Sequence, residues 1–244
     1  MTPAARLVLA VLAAARGSFG APEARPQPAT TLAEAESAIV QLVTIRDEGG
    51  RRVPRGSAFY VSERGHLLTC AHVVDRLPRA EPARLRRSDG TETPFRIVEV
   101  DREVDLALLR AEPSDRFLAL GEMSIPDVGA RVVFGGFLGR ADERTGGAAL
   151  RFKHGTVASL ERRHVLGARR TVGTRRSIVT VKVDQIADLG QSGGPLLAED
   201  TLEVIGVMRA NLESATGGLA GAPPRGHGAA VPLLYVKPMI ALMN

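Results

Sequence analysis

Three short stretches carry a histidine, an aspartate and a serine in settings that suit nucleophilic chemistry: Thr69-Cys70-Ala71-His72, Asp105-Leu106-Ala107-Leu108 and Gly190-Gln191-Ser192-Gly193-Gly194-Pro195. A serine hydroxyl is a poor nucleophile at neutral pH. It needs a base to take its proton and a third group to hold that base in one tautomer. Here His72 can be the base, Asp105 its orienter and Ser192 the nucleophile. Gly190, Gly193 and Gly194 flank Ser192 closely. Glycine admits the backbone angles of a tight turn that aims N–H groups at one point, so the amides of Gly190 and Ser192 are the expected donors to an oxyanion.

Elements that could hold these groups are short and rich in β-branched residues. Residues 39–45, 59–61, 95–100, 131–134, 178–183 and 204–208 read as strands rather than helices. Glycine-containing turn signals at 49–50, 89–90, 146–147 and 217–218 separate them, a pattern that suits antiparallel barrels. Only about 233–242 has the spacing of a surface helix, and Pro238 is expected to disturb its hydrogen bonding. Neither a repeat nor a second domain is visible.

The three stretches come in the order His, Asp, Ser, and in this they resemble the trypsin-like serine endopeptidases, within them the bacterial HtrA/Deg branch. Gly56-Ser57-Ala58-Phe59-Tyr60-Val61 is similar to the family's small-residue opening strand, and 65–74 to its histidine segment. Residues 101–109 resemble the aspartate segment, 152–160 a second-barrel strand, 203–207 the strand after the nucleophile and 227–232 the closing strand. The resemblance implies an all-β fold of two antiparallel Greek-key six-stranded β-barrels with a short C-terminal helix. It puts the protease domain at 37–244, the first barrel at about 37–113, the second at about 128–231 and the helix at about 233–242. His72 and Asp105 then come from the first barrel and Ser192 from the second, with the active site between them. Asp101 is the alternative orienter, but only Asp105 directly precedes the apolar strand as the family pattern requires.

The activity so implied is hydrolysis of peptide bonds in protein or peptide substrates through an acyl-enzyme, with no metal or other cofactor. Ile186, six positions before Ser192, is placed near the floor of the pocket for the residue preceding the cut, with Met208, Arg209 and Ala210 as further lining. An aliphatic floor favours small or medium apolar side chains, because burying an unpaired cationic head is costly. Asp188 lies nearby and tempers this expectation, and Arg209 could narrow the pocket or favour an acidic group. Digestive relatives carry an acidic residue before the nucleophile that pairs with a newly made amino terminus. Neutral Gln191 cannot do so, which implies activation by loop ordering.

Composition adds looser bounds. The 244 residues include no Trp, 2 Tyr and 7 Phe, so a core must be built mainly from Val, Leu, Ile and Ala. Cys70 is the single cysteine, which excludes an internal disulfide and makes packing the sole support. Cys70 itself reads as a small packed residue, and His66, His154, His164 and His227 lack metal-ligand spacing. Residues 1–20 read as a cleavable export signal, with Arg6, an apolar run at 7–15, and small residues Ser18 and Gly20. Export to the periplasm or the medium follows, and the run is too short for a stable membrane span, which needs about 20 residues. Residues 21–36, with Pro22, Pro26 and Pro28, are expected to be a flexible lead-in. The branch often carries a peptide-binding PDZ domain, and none is expected here.

The net charge of +5 is modest, but Arg162, Arg163, Arg169, Arg170, Arg175 and Arg176 cluster between two strand-like runs. They read as a solvated loop. Nucleic-acid binding is not expected, since no interleaved aromatics offer stacking platforms. Two other readings compete with the peptidase. Gly190-Gln191-Ser192-Gly193-Gly194 fits the nucleophile elbow of serine esterases, but Pro195 interrupts the helix an elbow should enter. A protease-like binding module, catalytically silent, would keep both barrels and lose the oxyanion geometry. The oligomeric state is not legible at this level.

Overall fold

Runs of Val, Leu and Ile bounded by glycine turns take extended backbone, because branched side chains are stiff and fit a pleated surface. The computed structural model describes residues 26–46, 51–79, 81–141, 148–166, 175–209 and 227–243. The export segment at 1–20, the glycine pairs at 49–50, 146–147 and 217–218, Arg169, Arg170 and Ala210 lie outside the described residues.

The first half comprises β1 (Gln27–Pro28), α1 (Leu32–Ala38), β2 (Ile39–Arg46), β3 (Arg51–Tyr60), β4 (His66–Thr69), α2 (Ala71–Asp75), β5 (Ala83–Arg86), β6 (Glu92–Thr93), β7 (Arg96–Asp101), β8 (Leu106–Arg110) and β9 (Arg116–Phe117). Strands β2 to β8 form one antiparallel sheet in the order β6-β5-β2-β3-β4-β8-β7, and β1 pairs in parallel with β9. The second half comprises β10 (Arg131–Ala141), β11 (Ala148–Leu166), β12 (Arg175–Val183), β13 (Pro195–Ala198), β14 (Val204–Arg209) and β15 (Gly228–Pro232). These six close into a barrel in the order β10-β11-β12-β15-β14-β13. A 3-10 turn at Leu233–Val236 runs into helix α3 (Lys237–Ile240).

The architecture is the expected all-β pair of barrel-like sheets with a short C-terminal helix. The first sheet counts seven strands rather than six. The Asp89-Gly90 turn, with Gly90 at φ 88°, folds the two-residue β6 back onto β5. Pro238 does not disrupt α3, because it sits in the first turn, where its missing N–H would have had no intrahelical partner.

The expectation of a flexible lead-in over 21–36 is corrected for its described part. Gln27 and Pro28 pair with β9, and Ala29, Ala35 and Ala38 are buried. The signal that outweighs the prolines is Thr31-Leu32-Ala33-Glu34, a capping sequence. Thr31 Oγ1 accepts from the Glu34 amide at 3.2 Å, and Glu34 accepts from the Thr30 amide at 2.9 Å.

Packing is continuous on each side. Ile39, Leu42, Phe59, Tyr60, Leu67, Leu68, Leu106 and Leu108 fill the first half, while Val132, Phe134, Val157, Val181, Val183 and Leu196 fill the second barrel. Tyr235 ties the C-terminal turn down, its hydroxyl accepting from the Val179 amide at 2.8 Å.

Polar contacts join the halves. Ser57, fully buried in β3, donates through Oγ to the Gly190 carbonyl at 2.8 Å and accepts there from the Phe137 amide at 2.8 Å. Its own amide donates to the Ser192 carbonyl at 2.8 Å. Gln41 Nε2 donates to the Leu138 carbonyl at 3.2 Å. Removing the Ser57 hydroxyl would strand a part-buried carbonyl and a buried amide. Ser57→Ala is expected to cost about 1–3 kcal/mol, read as a lowered urea midpoint at unchanged m-value. An unchanged midpoint would contradict this account of the seam.

Candidate active site

His72 stands on the five-residue α2, directly after β4, and Asp105 ends the turn that feeds β8. Asp105 has φ 64°, a left-handed conformation that non-glycine residues adopt only when surrounding contacts over-determine it. Those contacts are present. The His72 amide donates to Asp105 Oδ1 at 2.9 Å, and His72 Nδ1 lies 2.9 Å from Oδ2 and 3.1 Å from Oδ1. A carboxylate only accepts, so Nδ1 carries the ring proton and Nε2 keeps the lone pair that a base needs.

The turn bearing Ser192 is docked against the same region. Gly193, at φ 85°, donates its amide to the Met208 carbonyl at 2.8 Å, and the Cys70 thiol donates to that carbonyl at 3.2 Å. A Cβ on Gly193 would lie 2.1 Å from the Ser57 carbonyl oxygen and 2.2 Å from Thr69 Oγ1, so only glycine lets the turn approach this closely. Gly190 is also left-handed, at φ 99°, and its carbonyl is taken by Ser57. The seam therefore gathers an imidazole oriented by a carboxylate, a serine 6% exposed, and a glycine turn.

A family model described as a trypsin-like peptidase domain matches residues 56–207. The chain belongs to the trypsin-like peptidase family. It is 32% identical over 184 residues to serine protease HTRA1 of Xenopus laevis, covering 71% of this chain and 35% of that protein. It is 34% identical over 185 residues to mitochondrial serine protease HTRA2 of Drosophila ananassae, covering 75% of this chain and 37% of that one. The chain thus spans little more than a third of the length of these relatives. A solved HtrA-type protease with a tripeptide shares the fold, with TM-score 0.59 at 22% identity over 87% of this chain and 60% of that chain.

Within this trypsin-like peptidase, Gln191 has a specific task. Fully buried, it accepts from the Asp188 amide at 2.8 Å and donates to the Arg151 carbonyl at 3.1 Å. A carboxylate could not make the second bond, so a neutral amide is the side chain that braces this loop from both sides. A cleft of about 470 Å³, lined by Leu138, Gly139, Arg151, Asp188 and Leu189, adjoins the same loop.

Of the residues expected around the substrate pocket, Ile186 is half-buried and its carbonyl accepts from Lys153 Nζ at 2.8 Å. Lys153 also pairs with Asp188 at 2.9 Å, which offsets the charge of that carboxylate. Met208 is fully buried in the second barrel's core. Arg209 Nε lies 2.7 Å from Asp105 Oδ2. Ser57, Lys153 and the partner of Arg209 were not singled out by sequence reasoning. Only Ser57 had a local signal, its place in the small-residue strand.

Cys70 Sγ, a His72 ring nitrogen and an Asp105 oxygen lie within 4.8 Å of one another. Burial, reinforced by the charge of Asp105, pushes the Cys70 thiol well above its ordinary range, and the thiol is already donating. With the Arg209 guanidinium on the carboxylate as well, the donor set suits a proton network better than a cation. His66 is structural: its Nε2 accepts from Arg110 at 2.8 Å, and burial followed by the charge of Arg110 lowers its pKa.

Burial would raise the Asp105 pKa, but the hydrogen bond from His72, the charge of His72 and that of Arg209 together bring it below the usual carboxylate value. A group held below its unfolded value contributes stability that is fully present above about pH 3.9 and is lost as pH falls through the lower folded value. Urea unfolding across this window is expected to show a steeper acid loss for the wild type than for Asp105→Asn. Equal slopes would contradict the assignment.

Proposed function

We propose that this protein is an exported serine endopeptidase that acts through Ser192, His72 and Asp105. The observation that carries the reading is the twofold contact of His72 with Asp105, through its ring and its amide, at the seam where the Ser192 turn is docked. In this reading Ser192 attacks a peptide carbonyl while His72 accepts its proton. Asp105 stabilises the imidazolium without becoming protonated. The amides of Gly190 and Ser192 receive the oxyanion, His72 protonates the leaving amine, and water releases the acyl group by the same route.

Domain boundaries follow the same reading, with an export signal at 1–20 and barrels at about 37–113 and 128–231, while the packed Gln27–Ala38 segment belongs with the protease domain. The HTRA1 and HTRA2 relatives are serine proteases, which supports protein or peptide as the substrate class. No helix among the described residues is long and apolar enough to cross a membrane.

The pocket for the residue before the cut takes small or medium apolar side chains. One observation supports this: Lys153 places an ammonium beside the Ile186 carbonyl and pairs with Asp188. A second cation entering there would meet repulsion without an unpaired carboxylate to receive it.

A fluorophosphonate probe is expected to label the wild type and not Ser192→Ala, with peptide hydrolysis by the variant lower by about 10⁴-fold or more. Robust partner binding with no labelling of the wild type would instead favour the silent module. Digestion of a peptide library is expected to give cleavage mainly after Val, Ala, Leu or Ile. Dominant cleavage after Lys or Arg would overturn the pocket assignment.

A further inference from the structure

Arg209 has no place in the proton relay described so far, yet it touches its centre. It is the last residue of β14, next to Met208, whose carbonyl receives both Gly193 and Cys70. Its Nε lies 2.7 Å from Asp105 Oδ2, the oxygen that also faces His72 Nδ1 at 2.9 Å. The other oxygen is engaged by the His72 amide. One carboxylate therefore meets hydrogen-bond donors from the first half and a cation from the second.

We propose that Arg209 is a positioning residue that clamps Asp105 across the seam and offsets part of the negative charge Asp105 presents to His72. The proposal rests on the peptidase reading above.

Geometry gives the clamp its first effect. Asp105 sits on left-handed backbone at the entrance to β8, a conformation that aspartate tolerates better than most residues but that its contacts must still hold. A guanidinium from β14 pairs with the oxygen that also faces the His72 ring, so the face shown to the imidazole depends on the halves being docked. Charge gives the second effect. A guanidinium stays protonated throughout the range in which an imidazole titrates, so its pull on the carboxylate is constant. A carboxylate shared with a fixed cation attracts the imidazolium less strongly, and the base is released from its proton at lower pH. The enzyme gains working range on the acid side and loses some base strength.

Other charged groups around Asp105 do not duplicate this role. The Cys70 thiol is kept neutral by burial. Arg76, at the end of α2, acts on Cys70 from a distance, and Asp75 is engaged by Arg102 at 2.8 Å. Asp101 accepts from the amides of Glu103 and Val104, and the Glu103 carbonyl accepts from Arg163 at 2.9 Å. Among the described residues, Arg209 is the arginine in ion-pair contact with Asp105.

The test separates donor from charge. In glutamine the side-chain nitrogen follows Cδ, as Nε does in arginine, so Arg209→Gln keeps a donor in the same place and removes the cation. Arg209→Lys keeps the cation, and Arg209→Leu removes both. The pH profile of kcat/KM, the pH dependence of fluorophosphonate labelling and an NMR titration of the His72 ring are measured for all four proteins. In Arg209→Gln the acid limb and the His72 midpoint are expected to move up by roughly half to one pH unit, with the plateau within a few-fold of wild type. Arg209→Lys is expected to restore the wild-type position. Arg209→Leu carries the same upward shift with kcat lower by about tenfold at little change in KM, and it serves as the chargeless variant if Arg209→Gln does not fold.

An acid limb and a ring midpoint unmoved in the chargeless variants would overturn the clamp while leaving labelling, and hence the peptidase reading, intact. Absence of labelling in every protein, with the ring midpoint still shifted, would overturn the peptidase reading and keep the clamp.

Discussion

Ser57 holds the two halves in the one arrangement in which their residues can cooperate. Its hydroxyl is shared between the Gly190 carbonyl and the Phe137 amide, and its amide meets the Ser192 carbonyl. Apolar packing alone would bring the barrels together without fixing their register, since burial is non-directional. Three hydrogen bonds from one buried residue are directional, and a slip would leave their partners unsatisfied in a dry seam. The position of the Ser192 turn relative to the histidine helix therefore follows from a serine on neither.

Around that seam the site is arranged to avoid unpaired buried charge. Asp105 is a buried carboxylate on which hydrogen-bond donors from α2 and the Arg209 guanidinium from β14 converge. Gln191 shows the complementary solution: a loop that needs one acceptor and one donor receives a neutral side chain that offers both. Lys153 and Asp188 cancel one another beside Ile186. Each device costs less than a lone charge in the same place would.

Much of this was legible beforehand, for local reasons. The strand at 39–45 falls within β2 and that at 204–208 within β14, because β-branched runs bounded by turn residues specify extended backbone over a few positions. The glycines at 190 and 193 pointed to left-handed turns, which is what their φ angles are. The lead-in was misread because its prolines were weighed above the Thr31–Glu34 cap, although both signals are local. Ser57 was seen only as part of a small-residue strand. What its hydroxyl and amide bond lies at least 80 residues away, and no spacing rule reaches that far.

Residue types and their order determined, without coordinates, which side chains can serve as base, orienter and nucleophile, and that the fold is built of short antiparallel strands. Protonation chemistry and backbone preference belong to individual residues and their immediate neighbours, so the chain itself carries them. Tertiary structure alone decided that Arg209 reaches Asp105, that Gln191 bridges Asp188 and Arg151, and that Met208 presents a carbonyl to both Gly193 and Cys70. These are pairings between distant segments, chosen by how two curved sheets dock, and docking depends on the whole packed surface rather than on any stretch of it.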